Sequence, residues 1–79
     1  MSAFKEFLEI ALPAAQKLGH QCTEESLAQE LKSQLSQSEL TSLIRKLDDS
    51  ITFFARLGVW DVKQWDILSM LVAIRKGLV

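Results

Sequence analysis

The stretch beginning at residue 36 constrains this chain more than any other part of it. Ser36 and Glu39 stand in the Ser-x-x-Glu spacing of a helix capping box. Leu40, Leu43, Ile44, Leu47, Ile51 and Phe54 then recur at intervals of three and four. Because a helix turns once every 3.6 residues, that spacing gathers them on one side. The pattern predicts a helix reaching about Leu57, where Gly58 can end it. Its 20 or so residues correspond to roughly 30 Å. A stripe of that length has to be buried, and no strand-like alternation with turn signals appears anywhere to form a sheet beneath it. Other helices must cover it.

Three further helices can be read. The first runs from about Ser2 to Leu18, with Phe4, Leu8, Ala11, Ala15 and Leu18 at helical spacing and Phe7, Ile10, Leu12 and Ala14 widening the apolar arc. Pro13 lies inside it. Proline lacks the N–H that would bond the carbonyl of Glu9, so a kink or a break is expected there. Gly19 is placed to terminate the helix. Thr23 is a suitable N-cap for a second, short helix ending near Gln34. Glu24 and Glu25 favour its positive first turn, and Leu27, Leu31 and Leu35 form its stripe. The fourth helix is expected from about Asp61 to Lys76, with Gly77 as its stop and Arg75 and Lys76 complementing its negative end. The expectation is an all-α fold: one domain over residues 1–79, a small compact bundle of about four helices, the first kinked or broken at Pro13 and the third long. Short connections imply antiparallel neighbours.

A core is affordable at 48% hydrophobic residues, but 79 residues is a marginal length. Small domains often add a disulfide, a metal or a second subunit. A single Cys and a single His exclude an internal disulfide and a zinc site of the usual kind. Self-association, as a homodimer or a larger assembly, is the remaining device. The lone Cys22 suits a reducing, cytoplasmic setting. Lys5, Glu6 and Glu9 interrupt the first apolar run, unlike a secretory leader. No uncharged apolar stretch approaches the 18 or so residues of a membrane span; the one from Ile67 to Ile74 is far too short.

Catalytic chemistry finds little material. His20 and Cys22 are two positions apart, which permits a Cys–His dyad but does not make one. They are expected to be a loop histidine and a half-buried thiol. The adjacent pairs Glu24–Glu25 and Asp48–Asp49 diverge by about 100° on a helix, so they read as surface charge. There is no glycine-rich phosphate loop, and no cofactor is implied. The chain is not expected to be an enzyme.

The run TEESLAQELKSQLSQSELTSLIRKL, from Thr23 to Leu47, resembles helix-turn-helix proteins: a capped short helix with Leu-Ala-x-x-Leu, a turn, then a helix with Leu-x-x-Leu-Ile-x-x-Leu. The resemblance implies nucleic-acid binding through Gln37, Ser38, Thr41, Ser42 and Arg45. Residues 23–50 nevertheless carry six acidic and three basic side chains, which is poor material for phosphate contacts.

The stronger expectation is protein binding. Phe53 falls outside the stripe of the third helix, about 100° from its centre. The fourth helix has two apolar faces, one of Ile67, Leu71, Ile74 and Leu78, the other of Trp65, Leu68 and Val72. That arc is wider than one core seam needs. Trp60 and Trp65 are five residues apart and cannot both lie centrally on one face. Either both tryptophans serve the chain's own core, or Phe53, Trp60, Trp65 and Met70 contribute to a patch that meets another protein or a second copy. The expected function is thus a small interaction module: an adaptor, a regulator or inhibitor, or a small subunit.

Overall fold

The computed structural model describes residues 2–57 and 62–79, with side chains described for 65–79 in the second stretch. Four α-helices occupy these residues: α1, Ser2–Leu18; α2, Glu24–Gln34; α3, Gln37–Arg56; and α4, Val62–Leu78. A 3₁₀ turn at Gly19–Gln21 follows α1. No strand occurs among the described residues. The all-α bundle expected from the spacing is the observed fold.

Local chemistry explains most of the boundaries. Ser36 Oγ accepts from the Glu39 N–H at 3.3 Å, and the Glu39 carboxylate accepts from the Ser36 N–H at 3.0 Å. The backbone N–H of Ser36 thereby holds the Glu39 carboxyl below its ordinary range. The start of α2 uses the same reciprocal device with a serine. Thr23 Oγ1 accepts from the Ser26 N–H at 3.0 Å, and Ser26 Oγ accepts from the Thr23 N–H at 2.8 Å. Gly19 ends α1 at φ +58°, a left-handed conformation that glycine adopts without strain.

One glycine expectation needs correction, and of the two outcomes expected at Pro13 a break does not occur: α1 is continuous through it. Pro13 and Glu9 are both exposed, so water can satisfy the carbonyl left without a partner. Gly77 does not stop α4, which continues through it to Leu78. Its small size serves packing: a Cβ built at Gly77 would lie 2.6 Å from the Cβ of Ala28. The backbone of α4 thus comes closer to α2 than any other residue at 77 would allow.

The helices form a four-sided arrangement. α1 packs on α2 and α3, and α4 packs on the same two. α3 and α4, joined through residues 57–61, are neighbours as expected. α2 and α3 are joined by only Leu35 and Ser36, yet share no extensive surface. Short connection and close packing therefore part company at that joint. Phe7, Ala11 and Ala14 of α1, Leu27, Ala28 and Leu31 of α2, Leu43 and Leu47 of α3, and Leu71, Ile74 and Leu78 of α4 close into one core. Ser50 is buried with them, and its hydroxyl donates to the Lys46 carbonyl at 2.8 Å. Among the described residues two ion pairs brace the outside: Lys17 with Glu30 at 2.8 Å, joining α1 to α2, and Arg75 with Asp48, joining α4 to α3. The Lys17 contact, then the bond from Gln34, holds the Glu30 carboxyl below its usual range.

Candidate functional site

The inner face of α4 is fixed by the core. Leu71, Ile74 and Leu78 are buried and Ile67 is half-buried. On the far side of the same helix, Trp65, Leu68, Ser69, Val72, Ala73 and Lys76 line a shallow depression. Their spacing of three, four, seven, eight and eleven from Trp65 keeps them on one face. Trp65 is 56% exposed, the largest side chain left uncovered among the described residues. Leu68, Val72 and Ala73 are half-buried around it. Of the two apolar faces read from the sequence, one is core and the other is open.

The remaining predicted residues are distributed elsewhere. Phe53 is 39% exposed on the last turns of α3. It stands edge-on to Phe54 with ring centroids 5.6 Å apart, and Phe54 stands edge-on to Phe4 at 5.2 Å. Phe53 shares a second depression with Ser2, Ala3, Asp49, Thr52, Arg56 and Leu57, which does not include Trp65. Leu57 is itself 51% exposed; nothing in its spacing singled it out, because it lies at a helix end. Met70 sits 140° around α4 from Trp65 by helical geometry. It is half-buried and packs against the core. There it lines an apolar furrow with Phe7, Leu8, Ala11, Cys22 and Ile74, among others, of about 190 Å³. Trp60 lies outside the described residues. The three described residues thus occupy three places, and among them only Trp65 stands at the centre of an open apolar face.

No protein-family model matches the chain, and no curated protein or solved structure is significantly similar to it.

The chemistry of other side chains can be placed directly. His20 is exposed in the 3₁₀ turn and Cys22 is half-buried. Among the described residues they share no hydrogen bond. No cluster of three or more His, Cys, Asp or Glu side chains able to hold a metal occurs among the described residues. No helix of the described residues is long and apolar enough to cross a membrane. Gln37, Ser38, Thr41, Ser42 and Arg45 are all exposed along α3. The helix-turn-helix arrangement, however, packs its two helices on each other across a turn of three or four residues. Here α2 lies against α1 and α4, and two residues link it to α3.

Proposed function

We propose that this chain is a small protein-interaction module, an adaptor, regulator or subunit, that works by burying the outer face of α4 against another protein. The observation that carries the reading is Trp65: a tryptophan more than half exposed, on a helix whose opposite side is already committed to the core. A helix apolar on both sides is ordinarily covered on both sides. Tryptophan anchors interfaces because it buries a large area with few rotatable bonds. Phe53 and Leu57 are further exposed apolar side chains, in a depression separate from that of Trp65.

The test is a tagged pull-down from lysate with and without nuclease, comparing wild type with Trp65→Ala. Circular dichroism must show the variant still folded. A protein partner that survives nuclease and disappears with Trp65→Ala supports the reading. Recovery of nucleic acid, with partners lost on nuclease treatment and binding that falls steeply with added salt, overturns it in favour of phosphate contacts.

A further inference from the structure

We infer that the occupant of the α4 face is a second copy of this chain, docked so that the two α4 helices run antiparallel across a two-fold axis. The inference rests on reading that stripe as a binding face, and adds its partner and register. A two-fold contact requires one surface to complement itself. The α4 stripe does so about a centre between Met70 and Leu71. In that register Trp65 meets Lys76 of the other copy, Leu68 meets Val72 along one flank, and Ser69 meets Ala73 along the other, each twice. The small side chains of Ser69 and Ala73 let the backbones approach on their flank, while Leu68 and Val72 fill the opposite one. All six side chains line the same open depression.

The charges complement each other in the same register. Lys76 can lay its alkyl stem on the indole of Trp65 and present its ammonium to the ring. Asp66, exposed on the flank beside Trp65, faces the same Lys76 across the axis. Among the described residues, neither Asp66 nor Lys76 forms an ion pair within the chain, whereas Arg75 is already engaged by Asp48. A parallel pairing would set Asp66 against Asp66 and Lys76 against Lys76, so the charges select the antiparallel form. Lys76 also borders Glu24 and Glu25 of its own chain, which keeps its ammonium at the surface.

Sedimentation velocity on the full chain across a concentration series tests the inference. Wild type is expected to pass reversibly from monomer to dimer as concentration rises. Asp66→Lys and Lys76→Asp should each raise the dimerisation midpoint about tenfold, because two rim pairs per dimer become repulsive. The double swap should return the midpoint close to wild type, and Trp65→Ala should abolish the dimer. Lys76→Asp places a third carboxylate near α2, so Asp66→Lys, on an open flank, carries the argument should that variant unfold. A monomer at every concentration, or a dimer indifferent to Asp66→Lys and to Trp65→Ala, overturns self-pairing. If the monomeric chain still captures a different protein through Trp65, the interaction reading stands and only the second copy falls.

Discussion

Helices α3 and α4 lie side by side in one bundle and divide their residues by different rules. α3 separates its sides cleanly until its last turns, where Phe53 is exposed. Leu43, Leu47 and Ser50 are buried, while Gln37, Ser38, Thr41, Ser42, Arg45 and Asp49 face outward. α4 buries Leu71, Ile74 and Leu78, then carries Trp65, Leu68 and Val72 around its other side. The hydrophobic effect alone would favour polar residues there, as it does on α3. Under the interaction reading proposed above, the contrast reflects a second demand on α4 beyond the chain's own core.

The comparison is most open to attack on the two faces of α4. Leu71→Ala should cost about 2–5 kcal/mol of unfolding free energy, since it empties a fully buried site. Trp65→Ala removes a larger side chain but should change stability by only about 0.5 kcal/mol, as exposed substitutions do. Urea unfolding of both variants checks the pair; a Trp65→Ala cost comparable to that of Leu71→Ala would make the outer face part of the core.

A second experiment probes how α4 is held. Gly77→Ala should gain about 1 kcal/mol of helix propensity. The added methyl meets the Cβ of Ala28 at 2.6 Å, an overpacking that costs about 1–3 kcal/mol. Net destabilisation is expected, and Ala28→Gly should relieve much of it in the double variant. Thermal melts of the four proteins in the cycle provide the measurement.

Smaller effects sharpen the other helix. Ser36→Ala should lower stability by about 1 kcal/mol through loss of the α3 cap, read by the shift in denaturation midpoint. The pH dependence is smaller still. Glu39 and Glu30 have folded pKa values below the ordinary 4.5, so their contribution is complete above that value. It is lost as pH falls through the lower folded values, because the unfolded chain takes up protons first. Acid titration of the unfolding midpoint should therefore decline less steeply in Glu39→Gln than in wild type.

Features governed by neighbours in sequence were legible before the fold. Ser36 with Glu39, and Thr23 before Glu24, mark helix starts because their bonds span three residues. The two apolar arcs of α4 follow from periodicity in the same way. What escaped depends on distant parts of the chain. Pro13 is tolerated because its side of α1 faces water. Position 77 packs as glycine because Ala28 stands opposite. Ser50 is buried because its hydroxyl bonds back to Lys46 and presents little polarity to the core. Spacing placed Trp65 and Met70 on one helix, but only the positions of α1 and α2 decide that Met70 is covered and Trp65 is not.

The contact between Gly77 and Ala28 has a mechanical consequence. It acts as a fulcrum near the end of α4, where only the methyl of Ala28 separates the two backbones. A small change in volume there would swing α2 as a rigid arm and carry Glu24 and Glu25 nearer to or farther from Lys76. The electrical character of the rim beside the open face is thus geared to the thickness of a single methyl group inside the bundle.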